Sequence, residues 1–140
     1  MSEENKAIVR RMFEEEDRSE GSASTELYAP GFTAHIVGFP PMDRTAFQQF
    51  LAMWYTGFSD WNHTVEDLVE EGDRVAVRVT AQATHTGDFM GAPATGNRIT
   101  AVSIGIARIA SGQIAEWWNA PDRLGVMEQL GRIPAVSSAR

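Results

Sequence analysis

The chain has 140 residues, no cysteine and a formal net charge of −7. That length suits one domain with a real core, and the absence of thiols excludes disulfides and cysteine nucleophiles while fitting a reducing compartment. Its 12 Lys and Arg are scattered among 19 acids, which leaves no basic surface for nucleic acid.

The N-terminus is charged and lacks a signal-type apolar segment, and no apolar run approaches the ~20 residues that span a bilayer. The expectation is a soluble, cytoplasmic protein. Residues 5–17 place Ile8, Val9, Met12 and Phe13 on one helical face and acids on the other, predicting an amphipathic helix ended by Gly21. Glu14, Glu15, Glu16 and Asp17 are expected to be solvated, as are Glu66, Asp67, Glu70 and Glu71. A turn or short helix over 23–28 stops at Ala29-Pro30-Gly31. Residues 32–39 read as an irregular apolar segment or short strand that carries His35 and is broken by Pro40-Pro41. Asp43 is placed to cap a helix whose Phe47, Phe50, Leu51, Trp54 and Phe58 form one apolar stripe.

From Asn62 the period changes to two. Strands are predicted around 63–69 and 74–86, separated by Glu71-Gly72-Asp73. In the second, Val75, Val77, Val79, Ala81, Ala83 and His85 share one parity, while Arg74, Arg78, Thr80, Gln82 and Thr84 share the other. One core face and one wet face are the pattern of an antiparallel sheet. His63, among Trp61, Asn62 and nearby acids, is expected to be exposed. The Gly- and Pro-punctuated loop 87–96 carries Phe89 and Met90, which are large enough to predict that it folds over a neighbour. Residues 99–122 form a predicted hairpin turning at Ser111-Gly112. Its second strand ends in Trp117 and Trp118, with Asp122 four residues beyond the latter. A last helix over 123–130 is predicted to turn Leu124, Met127 and Leu130 inward, with Gly131 closing it. Helices followed by a run of strands give an α+β domain over 1–133, with 134–140 as a fraying tail.

Trp117, Trp118 and Asp122 are the most chemistry-like combination in the chain. Asp122 has two readings. It caps the last helix as an anion, or it points into an aromatic pocket as a general base. His85 falls on the apolar face and His35 lies among Phe32, Ile36 and Phe39. Each alone reads as a core histidine, and together with Asp122 they form a candidate proton-transfer set. The histidines lack the spacing that puts two metal ligands on one helix face, so no metal is assigned. Nucleotide-binding and serine-nucleophile motifs are also missing. Trp54, Trp117 and Trp118, with Phe39, Phe89 and Met90, are candidates to line a cavity for a flat, apolar, polycyclic ligand.

Four stretches together resemble the SnoaL-like polyketide cyclases, within the nuclear transport factor 2-like folds: N-K-A-I-V-R-R-M-F-E-E at 5–15, T-V-E-D-L-V-E-E-G-D-R-V-A-V-R at 64–78, T-H-T-G-D-F-M-G-A-P-A-T-G-N-R-I at 84–99 and G-Q-I-A-E-W-W-N-A-P-D at 112–122. The resemblance covers nearly the whole chain. It implies a curved antiparallel sheet wrapped by about three helices, a cone-shaped barrel with an apolar pocket and a homodimer built on the sheet. It also implies cofactor-independent aldol ring closure of an aromatic polyketide ester, with Asp122 as the acid/base group and His85 and His35 as pocket histidines. The chain departs from the family pattern at Trp117, where many relatives carry histidine, so an indole stands in place of a proton carrier.

Three readings of function follow from sequence. The first is the cyclase. The second is a hydroxylase-type relative acting on anthracycline-like polyketides. The third is a non-catalytic binding or dimerisation module, in which Asp122 and His85 have no chemical task.

Overall fold

In the computed structural model, residues 2–22 and 26–133 are described. The expectations for a turn over 23–28 and a frayed tail over 134–140 therefore fall wholly or partly outside the described residues. The elements run α1 (Ser2–Ser19), β1 (Tyr28–Ile36), α2 (Arg44–Gly57), β2 (Asn62–Glu71), β3 (Arg74–Thr84), β4 (Arg98–Ala110), β5 (Gln113–Pro121) and α3 (Arg123–Gln129). No helix is long and apolar enough to cross a membrane among these residues.

The architecture is α+β with three helices, as expected. The sheet differs in two respects from the antiparallel barrel anticipated. Its order is β1-β5-β4-β3-β2, and β1 runs parallel to β5, so the sheet is mixed. It is also not closed, because β1 and β2 are its two edges. The physical reason is that β2 to β5 form a meander of sequential antiparallel partners, whereas β1 reaches β5 from far away in sequence. Pro30 and Gly31 fall where the β1 register shifts, at the edge of the sheet, where a missing N–H is tolerated.

Alternation decides the two faces. In β3, Val75, Val77, Val79, Ala81 and Ala83 are buried and their neighbours are not, as predicted. Helix α1 packs on β2 and β3, α2 on β1 and α3 on β4, so the helices cover a single face. Val9, Met12 and Phe13 bring the α1 stripe to that inner face. Asp43 caps α2 by accepting from the Ala46 N–H at 2.8 Å. The β4–β5 hairpin turns through Ser111 and Gly112, both with positive φ (51° and 76°), as a tight right-twisting turn requires. At α3 and its C-cap, Leu130 is buried and Met127 packs partly buried against the core, as expected, with Val126 buried beside them, while Leu124 is 59% exposed, contrary to expectation. The helix is only seven residues long and presents one turn to the sheet.

Phe89 is buried against Trp54 and Phe58, so loop 87–96 does fold over a neighbour, but Met90 is 46% exposed and takes no part. Gly105 in β4 leaves the space that the Trp117 indole fills, and a Cβ there would also fall 2.7 Å from the Trp118 carbonyl oxygen. Gly105→Ala is expected to lower the unfolding free energy by about 1–3 kcal/mol, the usual cost of forcing a side chain into a packed core. Urea denaturation followed by tryptophan fluorescence measures it.

Candidate functional site

Between the inner sheet face and the helices lies a cavity walled by Phe13, Phe47, Phe50, Leu51, Trp54, Trp61 and Trp117. About 670 Å³ of atom-free space lies in it, the open solvent at its mouth included. Asp122, Val102, Ser103 and Pro121 form the more accessible rim, and Glu16, Phe13, Tyr55 and Trp117 the buried end.

The aromatic wall is held by edge and tilted packing. Trp54 meets Trp61 at 5.9 Å and Phe89 at 4.6 Å between ring centroids. Trp117 meets Phe13 edge-on at 6.0 Å. The Trp61 indole N–H donates to the Trp54 carbonyl at 3.2 Å, which satisfies its polar handle inside the core. A flat apolar guest finds ring faces and edges here and few competing polar groups.

Asp122 does both things that its sequence position allowed. Its Oδ1 accepts from the Gly125 N–H at 2.9 Å, capping α3, and its side chain also lines the cavity. The carboxylate is exposed rather than sunk in the pocket. A group with this access can exchange protons with water while facing a bound molecule.

The predicted histidines are not brought to the cavity. His85 is completely buried at the end of the β3 parity run, under loop 87–96. Its Nδ1 accepts from the Thr95 N–H at 3.1 Å and lies 2.9 Å from Thr95 Oγ1, while Phe58 packs 5.2 Å from the ring. The accepted N–H fixes the proton on Nε2, which has no hydrogen-bond partner. His35 lies on the outer sheet face, stacked 5.1 Å from Trp118, with Nε2 at 3.0 Å from Glu116. Arg108 donates to the other Glu116 oxygen at 2.8 Å, and together Arg108 and His35 hold that carboxyl below its usual range.

The aromatic candidates divide in the same way. Trp54 and Trp117 line the cavity. Trp118 points outward, between His35 and the Arg74 guanidinium 5.0 Å above its ring. Phe39 lies with Trp118 along a groove on that outer face, and Phe89 supports Trp54 from behind. Adjacent residues in β5 necessarily face opposite ways, which is why Trp117 and Trp118 cannot share one pocket.

Among the residues absent from the sequence-based set that line the cavity are a carboxyl group and an imidazole, Glu16 and His63. Both correct an expectation of exposure. Glu16 is 5% exposed, and the His63 side chain is mostly buried. Asp17 accepts from the His63 backbone N–H at 2.9 Å and lies 2.6 Å from its Nδ1, and the Tyr55 hydroxyl donates to Asp17 at 3.1 Å. Burial opposes charge on both His63 and Asp17 and is the largest single influence on each. Their hydrogen bonds and charges, with Glu16 acting on the histidine and Tyr55 on the aspartate, together outweigh it, so the histidine is pushed up and the aspartate down. Burial pushes the Glu16 carboxyl up to about 7; His63 pulls it down in part and Asp17 adds to the rise. The signal was in the spacing: Glu16 follows Val9, Met12 and Phe13 at i+7, i+4 and i+3 on the same helical stripe. Among the described residues, no three His, Asp or Glu side chains are grouped to hold a metal ion.

A family model described as SnoaL-like polyketide cyclase matches residues 7–130. The chain is 36% identical to aklanonic acid methyl ester cyclase DnrD from Streptomyces peucetius over 75 residues, 53% of this chain and 52% of that one. It is 37% identical to aklanonic acid methyl ester cyclase DauD from Streptomyces sp. strain C5, again over 75 residues, 53% of this chain and 47% of that one. The chain thus spans about half the length of the curated relatives it matches. Among solved structures, AclR, a candidate hydroxylase from Streptomyces galilaeus, matches with a TM-score of 0.86 at 26% identity, covering 97% of this chain and 90% of that one. IdmH, a candidate polyketide cyclase from Streptomyces antibioticus, matches with a TM-score of 0.81 at 29% identity, covering 91% and 98%.

The Glu16 environment predicts a pH dependence of stability. The folded chain keeps a proton that the unfolded chain releases between about 4.5 and about 7. The contribution is therefore full below the unfolded value and is lost as pH rises through the folded one, amounting to about 3 kcal/mol across that window. Glu16→Gln is expected to flatten this decline, read as the difference between the two proteins' urea-unfolding free energies measured across the same pH range.

Proposed function

The chain belongs to the SnoaL-like polyketide cyclase family, and we propose that it catalyses intramolecular aldol ring closure of an aromatic polyketide ester, with Asp122 as the acid/base group. The observation that carries this reading is a carboxylate at the mouth of a cavity walled by Trp54, Trp61 and Trp117. The flat ring system of the substrate lies between these side chains. Asp122 takes a proton from the methylene between two carbonyl groups, and the resulting enolate delocalises into the conjugated system. The enolate carbon then attacks a ketone carbon of the same molecule. The new carbon–carbon bond leaves an alkoxide, to which the Asp122 carboxylic acid returns the proton. The reaction is an isomerisation that asks the protein for one reactive conformer and one proton carrier. It uses no metal or organic cofactor. His85 and His35 have no step in it, because neither lines the cavity.

Turnover of an anthraquinone-type polyketide methyl ester tests this. Asp122→Asn keeps a side-chain oxygen able to cap α3, so its stability should stay near that of the native protein, while kcat falls by about 10²–10⁴, the usual worth of a general base. Ring closure without oxygen uptake supports the cyclase. The similarity to AclR is the observation behind a hydroxylase reading, and product formed with oxygen consumption would favour it. Ligand binding without turnover in either protein would favour a non-catalytic role.

We further propose that two copies pair through the outer sheet face. Among the described residues, that face exposes Val102, Ile104 (57%) and Ile106 on β4 next to the Trp118 and Phe39 groove. A contiguous apolar patch without a covering helix is the usual mark of a protein interface. Ile104→Lys is expected to convert a dimer to a monomer in sedimentation equilibrium while leaving the thermal transition cooperative.

A further inference from the structure

Glu16 is a buried carboxyl group with no hydrogen bond or ion pair to any described residue, and it lines the cavity at its buried end. The cavity it lines is mainly apolar, with Phe13, Phe47, Leu51 and Trp117 among its walls. Of the titratable side chains coupled to it by charge, His63 Nδ1 and the Tyr55 hydroxyl are taken up by Asp17, and Tyr28 is buried on β1. A carboxyl group in so apolar a setting gains from a hydrogen-bond partner. Its position in the cavity lining makes a bound ligand the natural partner.

We propose that Glu16 is a ligand-recognition group: its carboxylic acid donates a hydrogen bond to the ketone or quinone oxygen of a flat aromatic molecule held in the cavity. A carbonyl oxygen only accepts, so it needs a donor, and the protonated carboxyl supplies one at this end. The inference rests on the cavity taking an aromatic ligand, as proposed above, but not on ring closure taking place there.

Beside burial, the groups that act on Glu16 are His63 on β2, which pulls it down, and Asp17 on α1, which pushes it up. Tyr28 on β1, beside Glu15, and Tyr55 on α2 feel its charge, and Asp122 lines the same cavity at the start of α3. Tyr28 and Tyr55 are pushed up by burial and by Glu16, so they stay neutral. The His63–Asp17 pair is internally compensated. Loss of the Glu16 proton would present a carboxylate to the carbonyl lone pairs and remove the donor.

The test uses the full chain and two non-titrating probes with the same tricyclic skeleton, fluorenone with a ketone oxygen and fluorene without one. Equilibrium dialysis gives both affinities at about pH 5.5 and about pH 8.5, on either side of the Glu16 titration. Native protein is expected to bind fluorenone about tenfold more weakly at the higher pH, the size of one hydrogen bond lost in a desolvated site. Glu16→Gln, a neutral donor at every pH, should bind fluorenone equally at both. Glu16→Leu should lose about tenfold for fluorenone at the lower pH but bind fluorene at least as well as native protein. Parallel weakening of both probes in Glu16→Leu would mean damaged packing and would overturn the proposal. So would a pH-independent native affinity for fluorenone, or failure of native protein to bind either probe. The expected pattern without turnover of any polyketide ester would uphold this assignment and overturn the ring-closure reading instead.

Discussion

Consecutive residues of a β-strand point to opposite faces of their sheet, and in β5 that rule separates two tryptophans that sequence alone placed side by side. Trp117 enters the core, fills the space left by Gly105 and walls the cavity against Phe13. Trp118 goes outward, where His35 stacks on one side and Arg74 lies over the ring. The cavity and the outer apolar face are therefore two sides of one strand. A register slip by a single residue would exchange them and destroy both.

The same rule fixes which ionisable groups meet. His63 shares the inner parity of β2 with Val65 and pairs across to Ala81 on the buried face of β3. That placement brings it against α1, where Asp17 holds its imidazole and backbone together. Glu16, one residue earlier on the helix, is turned by about 100° and meets the cavity instead. Adjacent acids thus acquire opposite behaviour. His63, through its hydrogen bonds and charge, holds Asp17 below the usual carboxylate range, while desolvation pushes Glu16 up. At the rim, Asp122 is exposed and spends one oxygen on the α3 cap. The cavity therefore joins an accessible carboxylate to a buried carboxylic acid across an apolar interior.

Most elements were legible before the structure. The α2 stripe, the Asp43 cap, the β3 parity and the Ser111-Gly112 turn are local patterns, set by neighbours within a few residues, and the structure reproduces them. The parallel pairing of β1 with β5 was not, because no local pattern reports which distant strand will cover an edge. Of the candidate site, Asp122, Trp54 and Trp117 reach the cavity, whereas His85, His35, Trp118, Phe39, Phe89 and Met90 do not. The residues that miss the cavity share one cause: apolar surroundings in sequence do not report which way a side chain faces, since a sheet has two faces and a core extends beyond its cavity. Glu16 was passed over as part of an acidic run, although its phase matched Val9, Met12 and Phe13.

By itself, the sequence determined the periodicities, the turns, the caps and the kinship carried by its motifs, since each depends on short-range sterics and on the alternation of apolar and polar groups. The tertiary structure alone decided which acids are desolvated, which histidines have a carboxylate partner and which of the paired tryptophans faces the cavity. Those properties depend on distances between segments as far apart as α1 and β2 or β1 and β5. They arise only when the sheet is assembled and the helices close over one of its faces.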